Sequence, residues 1–473
     1  MQSQVLNYST AKKDDGTFRL DAEHYQEKYL LNQNKLLKFG AVPLDSMISR
    51  PVMTGHTPSM KIDSYYGDDV AFVKTDNLRD FRITGEFSHR LSQNGNELIK
   101  RSVLKKGDLI MTIIGATYKI VGRSALVRSE DLPANINQNI ALIRLKKVYS
   151  PEFLSAYLNS NIGKLATWYL SRQTEQVNLN CREIEKILVP KVSKEFSLTI
   201  ESTYKKAVLS EHGSRLAFLK AENLLLTELG LNYWQPKHQL TFIKKLSDTQ
   251  QAERIDAEYY QPKYEEIEEA IKQYTGGYTT IGEEFKQNKS TFKIDNKKTY
   301  KYVEIGSVNV SNGEILLNDV LGEDLPANAK RVLEKNDVIV SKVRTYRGAI
   351  TIVEENGCVG SGAFTVLRAN GRINTETLLA FLHSKPLLAW SLKPNTGTSY
   401  PVIIDDDILN LPIPLLPESK QIEIQKKVTE SFNLRKQSKH LLECAKRAVE
   451  IAIEQDEQAA IKWLKDETKE MQK

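Results

Sequence analysis

Apolar and polar positions alternate with a period of two along several stretches of the first half: VAFVKTDNL from Val70, GDLIMTIIGATYKIVGRSALVR from Gly107 and NIALIRLK from Asn139. Such alternation predicts strands with one face toward a core. The second half carries its own set, KYVEIGSVNV from Lys301, NDVIVSKVRTYRGAITIV from Asn336 and AFTVLRA from Ala363. Each set is followed by one helical stretch. SPEFLSAYLNSNIGKLATWYL opens with Ser150 as a cap and Pro151 at the first helical position, and NTETLLAFLHSKPLLAWSL opens at Asn374. Proline-marked stops, LVPKV and LPIPLLPES, come next, and each leads into a long charged helix without internal proline. The fold class is therefore α+β: two units of mixed β-sheet with helices, plus two long helices.

The long helices carry a narrower pattern. In the first, Leu209, Leu216, Leu219, Asn223 and Leu226 fall on alternating three- and four-residue steps around His212. In the second, Val428, Leu442, Ala445, Val449 and Ala452 share a heptad seam with Ala448 beside it, interrupted at Arg435 and Ser438. A seam this narrow suits helix-on-helix contact, although periodicity alone serves equally for two ordinary surface helices.

A repeat shifts the balance toward helix pairing. RLDAEHYQEKY, from Arg19, returns as RIDAEYYQPKY from Arg254, with eight of eleven positions identical. The echo continues in order: LKKGDLI at Leu104 with LEKNDVI at Leu333, IALIRL at Ile140 with FTVLRA at Phe364, IEKILVP at Ile184 with ILNLPIP at Ile408. The offset falls from 235 residues at Arg19/Arg254 to 229 at Asp108/Asp337 and 224 at Pro190/Pro414, so the frame is kept while internal loops differ. Equivalent helices ending equivalent domains can pair antiparallel across a pseudo-twofold axis, and about 30 residues at 1.5 Å each make a rod on the order of 45 Å long. The division is 1–195 for the first domain, 196–232 for a central spacer helix, 233–418 for the second domain, and 419–473 for a C-terminal spacer helix and tail.

Composition narrows the chemistry. The 473 residues exceed what one core usually fills. A net charge of +6 permits an anionic partner without demanding one. Three scattered cysteines, Cys181, Cys358 and Cys444, give neither a disulfide framework nor zinc-ligand spacing. No apolar run suits a signal or a membrane span, so a cytoplasmic protein without membrane contact is expected. Reacting groups are hard to find: there is no phosphate loop, no HExxH, no GxSxG and no [DN]PP[YF]. The glycines of GCVGSGA from Gly357 read as a turn, and Asp405, Asp406 and Asp407 as acids charging the N-terminus of a helix begun by Ile408.

The paired RxDAExYQ openings, the paired segments GDLIMTIIGATYKIVG and NDVIVSKVRTYRGAIT, and the polar stretches RQTEQVNLNCREIEKILVP and NTGTSYPVIIDDDILNLPIP resemble the specificity subunit of type I restriction-modification systems over nearly the whole chain. One departure is visible: RQTEQVNLN lacks a glycine where the second copy has Gly397. The resemblance implies two target-recognition domains, each reading one half of a split site in double-stranded DNA, and a coiled coil that sets the gap. It implies two methyltransferase subunits as partners and, in systems that cleave, restriction subunits as well. The subunit itself would be non-catalytic and hold no cofactor. S-adenosylmethionine would belong to the methyltransferase, ATP and magnesium to the motor.

Phosphate contacts give salt-sensitive affinity and base-edge contacts give specificity, so a DNA reader should place cations, amides and hydroxyls on loops above a stiff sheet. In the first unit the candidates are Lys74, Thr75, Asn77 and Arg79 after one strand, Tyr118, Lys119 and Arg123 in the hairpin, and Arg172, Gln173, Gln176 and Asn178 in the polar stretch. In the second they are Ser307 and Asn309, then Lys342, Arg344, Tyr346 and Arg347, then Thr396, Thr398, Ser399 and Tyr400. Arg19, Asp21, Arg254 and Asp256 read differently, since a motif repeated in both halves cannot encode two sequences. It fixes the fold or a shared docking surface. A specificity-like subunit of another DNA-modifying defence system, a coiled-coil scaffold whose heads bind protein and, last, an enzyme remain as alternatives.

Overall fold

The computed structural model describes residue 19 and residues 22–84, 87–173, 176–310, 313–396 and 400–470. Two compact units emerge, Met1–Leu209 with Gln437–Lys473, and Ser210–Lys436. Both divisions fall inside the long helices, Lys194–Glu228 and Glu418–Glu454, so each unit includes a part of both.

In the first unit the apolar run Leu109–Thr112 is buried at every position and lies inside an antiparallel sheet ordered Met53–Thr54, Ile140–Ile143, Leu109–Thr112, Ser124–Leu126. A second sheet pairs Tyr66–Val73 in parallel with Ala134–Ile136 and antiparallel with Arg90–Leu91. In the second unit the corresponding sheet is ordered Phe285–Gln287, Phe364–Ala369, Val338–Ser341, Ile350–Ile352. Its companion again has one parallel pair, Thr299–Val303 with Cys358–Ser361, flanked by Asn318–Leu321 and Ala329–Leu333. The closing strand of each copy, Leu188–Val189 or Pro412–Pro414, returns to pair with an early strand, Val42–Pro43 or Tyr278–Thr280. Pairing order repeats as the sequence does.

One buried charge pair sits at the same place in each copy. Asp108 is 2% exposed and accepts two bonds from Arg144, at 2.6 and 2.6 Å, and one from the Lys105 N–H at 2.7 Å. Asp337 accepts from Arg368 at 2.8 and 3.1 Å and from the Glu334 N–H at 2.9 Å. Each pair staples a turn to the strand beside it. A carboxylate this deep is tolerated because its lone pairs are filled.

The single helix expected after each strand set is two helices. Pro151–Asn159 stops at Ser160, whose hydroxyl accepts from the Gly163 N–H at 3.1 Å and so caps a new helix, Asn161–Leu170. Gly163 has no alternative there, because a Cβ would lie 1.9 Å from the Tyr157 carbonyl oxygen. In the second unit Thr375–His383 breaks at Ser384 before Lys385–Trp390, with Pro386 in its first turn. Ser-x-x-Gly and Ser-x-Pro were legible as restart signals, and the apolar periodicity running through them masked the break.

The seam of the first long helix also needs correction. Leu209, Leu216 and Leu219 are 70%, 45% and 47% exposed and Asn223 is exposed too, whereas Leu226 is buried as expected. The buried line consists of Ile200, Tyr204, Ala207, Ser214, Ala217, Ala221 and Leu225. In the first unit Ile200, Tyr204 and Ala207 share a core with Leu442, Ala445 and Val449. In the second, Ser214 and Ser431 meet hydroxyl to hydroxyl at 3.1 Å, and Ala221 and Leu225 join Ile424 and Val428, an antiparallel pairing. Small side chains let backbones approach, as at Gly213, where a Cβ would lie 3.2 Å from Leu434. Leucine at Gly213 or Ser214 would wedge the helices apart. The expected seam of the second helix is buried throughout, and its interruptions lie on it: Arg435 is 4% exposed, with its guanidinium on Glu354 and over the Phe432 ring, and Ser438 is 1% exposed.

Candidate nucleic-acid interface

The repeated opening motif acts as a clasp. Arg19 donates to the carbonyls of Tyr169 and Leu170, both at 3.2 Å, and to that of Ser171. Arg254 donates to those of Pro394 and Asn395, at 3.0 and 2.9 Å. The tyrosine six residues on closes each loop, Tyr25 to the Arg19 carbonyl at 2.6 Å and Tyr260 to the Arg254 carbonyl at 2.8 Å. Asp256 takes both remaining edges of Arg254, at 2.7 and 2.8 Å, which holds its carboxyl below the usual carboxylate range. Asp21 lies outside the described residues. Both clasps seize the chain where the polar stretch begins, so the motif serves the fold and aims the loop that varies.

That clasp is testable. Arg254→Ala removes charge-assisted bonds to two carbonyls, a local loss of about 1.5 kcal/mol. Hydrogen exchange at Thr396, whose N–H reaches the Val402 carbonyl, and at Val402, whose N–H reaches the Asn395 side chain, should quicken about tenfold, a factor equivalent to about 1.4 kcal/mol. Unchanged exchange at both amides would remove the clasp's role.

The polar stretch comes to rest against the hairpin in both copies. In the first unit Ile114–Gly115 pairs with Val177–Asn178, which pairs in turn with Arg172–Gln173. In the second, Val343 bridges Val402, the Ile403 N–H reaches the Lys342 carbonyl at 3.0 Å, and the Arg344 N–H reaches that of Pro401 at 2.7 Å. Segments more than fifty residues apart thus form one surface.

The candidates divide by environment. Asn77 and Ser307 are buried, and each accepts the backbone N–H three residues upstream, from Lys74 at 3.0 Å and Glu304 at 3.1 Å. They shape equivalent turns, their side-chain oxygens turned to the backbone. Tyr118 packs against Trp168 and donates to Glu23 at 2.8 Å; burial first, and Glu23 second, push its phenol well above the ordinary range. Thr75 is half-buried in the turn. Lys74 is half-buried over Phe72, its Nζ 2.9 Å from His89 Nδ1, and burial lowers it. Lys119 and Gln176 are exposed, and Asn178 donates to the Gln176 carbonyl at 3.0 Å. Arg172 is exposed with an ion pair to Glu183 at 3.0 Å. Of Gln173 only the backbone belongs to the described part.

In the second unit Lys342 is paired with Asp405 at 3.2 Å, and burial of that carboxyl is outweighed by its bonds to Thr365, Gln287 and Lys342, which lower it. Asn309 is half-buried, its N–H bonded to the Glu314 carbonyl at 2.8 Å. Arg344 adopts a left-handed backbone, φ +52°, and its guanidinium lies 4.5 Å over the ring of Tyr400, which is 64% exposed. Arg347 is exposed near the Tyr346 ring, at 5.9 Å. Thr396 is exposed, and Thr398 and Ser399 lie outside the described residues.

Sequence reasoning missed Arg82, which pairs with Arg79 across a tight turn with Phe81 at φ +70°. The cations of LRDFRI were a signal for it. The helix assigned to Ile408 starts three residues earlier, as Asp405–Leu409, and Asp407 reaches back to the Ile404 N–H at 2.8 Å. The glycines of GCVGSGA sit in and around the strand Cys358–Ser361, where a Cβ on Gly360 would press on Leu333 at 3.1 Å. Among the described residues, no group of three or more His, Cys, Asp or Glu is placed to hold a metal ion, and no helix is long and apolar enough to cross a membrane.

No protein-family model matches the chain. Among curated proteins it is similar to the type I restriction enzyme EcoBI specificity subunit of Escherichia coli, 28% identical over 126 residues, 26% of this chain and 25% of that protein. It is also similar to the EcoDI specificity subunit of Escherichia coli, 26% identical over 110 residues, 23% of this chain and 24% of that one. The matched region spans about a quarter of the length of these relatives. Among solved structures, the HsdS subunit from Thermoanaerobacter tengcongensis aligns at TM-score 0.29 and 16% identity over 88% of this chain and 96% of that one. The S subunit from M. genitalium aligns at TM-score 0.31 and 14% identity, over 89% and 95%.

Proposed function

We propose that this chain is the DNA sequence-specificity subunit of a type I restriction-modification complex. Residues 1–195 and 233–418 are the recognition domains, each reading one half of a bipartite site, and 196–232 with 419–473 form the spacer that sets the gap between halves. The carrying observation is a contrast within the repeat. The clasps at Arg19 and Arg254 and the pairs Asp108–Arg144 and Asp337–Arg368 match, whereas the surface they support does not. Lys119, Arg172 and Asn178 stand on one platform; Arg344, Arg347 and Tyr400 stand on the other. Twin scaffolds with unlike readers suit a target with unlike halves, about one helical turn apart.

The chain performs no chemistry in this reading. Two methyltransferase subunits carry S-adenosylmethionine, a restriction subunit where one exists carries ATP and magnesium, and the assembly works in the cytoplasm on double-stranded DNA. Methylome sequencing of the host with and without the gene tests it. The expected result is loss of one split motif with two dissimilar halves, and a methylome identical in both strains would sink the reading. A protein-binding scaffold is the outcome if duplex DNA shows no salt-dependent retention with the partner methyltransferase present.

A further inference from the structure

We infer that Arg79 and Arg123 of the first unit clamp a backbone phosphate of the DNA duplex, a contact that grips without reading sequence; this rests on the DNA-binding reading above. The two stand on adjoining turns. Arg79 belongs to the tight hairpin Leu78–Arg79 with Arg82–Ile83. Phe81, at its tip, donates its N–H to the Ser124 carbonyl at 2.8 Å and bridges Ala125, which brings the turn against the strand that follows Arg123.

Main-chain oxygens steer both guanidiniums. Arg79 Nη1 donates to the carbonyls of Asp76 and Leu78, each at 2.9 Å, and Arg123 Nε donates to that of Lys119 at 2.8 Å. Neutral carbonyls orient a cation and leave its charge uncancelled. Burial lowers the Arg79 pKa most, the Arg123 charge adds to this, and Asp76 opposes it. Among the described residues neither arginine has a carboxylate within ion-pair distance, and the neighbouring Asp80 is taken by Lys164. Like charges on adjoining turns are a cost that an intervening anion relieves. With Nη1 of Arg79 and Nε of Arg123 spent on carbonyls, each guanidinium keeps two adjacent nitrogens, a fork that fits two oxygens of a phosphate.

The second copy has no such pair. By the register of Asn77 with Ser307 and of Leu126 with Ile352, the equivalent positions are Asn309 and Ala349. The grip therefore belongs to the first unit.

The test uses the full chain with its methyltransferase partner and two labelled duplexes, one carrying the motif and one scrambled. With Arg79→Ala and Arg123→Ala together, both duplexes should bind more weakly by the same factor, and the methylated motif should be unchanged. The slope of log K against log salt should flatten by about 0.9, so the deficit against wild type shrinks about 3.5-fold between roughly 50 and 200 mM salt. Gln at both positions, which keeps polar contacts to the carbonyls, should behave as Ala, and Lys at both should retain the slope. An unchanged slope in the Ala and Gln variants, or a relaxed base in the methylome, overturns the clamp while wild-type binding stands. Absence of salt-dependent binding by wild type overturns the underlying reading as well.

Discussion

Asp108→Ala is expected to destabilise the first unit by about 3 kcal/mol. Three hydrogen bonds converge on this 2% exposed carboxylate. Its removal leaves the Lys105 N–H unpaired and Arg144 facing a void. Arg144 is 21% exposed, and water can reach part of its guanidinium, which keeps the loss at the lower end of what breaking a buried pair costs, about 3–5 kcal/mol. The Asp108 bond is the largest influence on Arg144 and raises its pKa; that support goes with the partner, but a guanidinium is intrinsically so basic that it stays charged and cannot neutralise itself. Asp337→Ala should cost less through its ion pair, since Arg368 is 42% exposed. Urea denaturation with proteolytic mapping checks both: Asp108→Ala should open cleavage sites between residues 100 and 145 at lower denaturant, and Asp337→Ala sites between 330 and 370. An Asp108→Ala protein as resistant as wild type would remove the pair from the account of the fold.

Replacing Arg344 and Arg347 by Ala should relax the second half of the methylated motif and leave the first intact. Of the two proposed readers, Arg344 should contribute more. A left-handed backbone at a non-glycine residue costs on the order of 1–2 kcal/mol, a strain retained here while the guanidinium is laid across an exposed tyrosine ring. The cation–π contact restrains the guanidinium beside the exposed ring, and a bidentate contact to guanine discriminates by about 1–3 kcal/mol. Loss of methylation fidelity at one or two positions of one half-site, roughly 5- to 150-fold per position, is the expected signature. Equal weakening of both halves would make these arginines general grips, as Arg79 and Arg123 are inferred to be.

The strands, the repeat and the general location of the variable surface were legible because they depend on local pattern. Alternation sets which face of a strand is buried, and RxDAExYQ stands in plain view in both halves. What the residues on that surface do was far less legible. Asn77 and Arg79 stand two positions apart and both are polar, yet the first turns inward to accept from the backbone and the second is steered by two main-chain carbonyls. Tyr118 stood among the DNA-contact candidates of the hairpin and is engaged by Glu23, ninety-five positions away in the chain. Lys342 is held by Asp405 in the same fashion.

By itself the sequence determined a duplicated α+β scaffold with long terminal helices, since periodicity, caps and repetition act between neighbours a few residues apart. Tertiary structure alone decided which side of the first long helix is buried and which cations stay exposed. Helix packing selects by closeness, so serine and alanine occupy the middle of the first helix's buried line at Ser214 and Ala217, while Leu209, Leu216 and Leu219 are left outside. Each cation's fate turns on whether folding brings a carboxylate or only a carbonyl within reach, a distance that no spacing along the chain encodes.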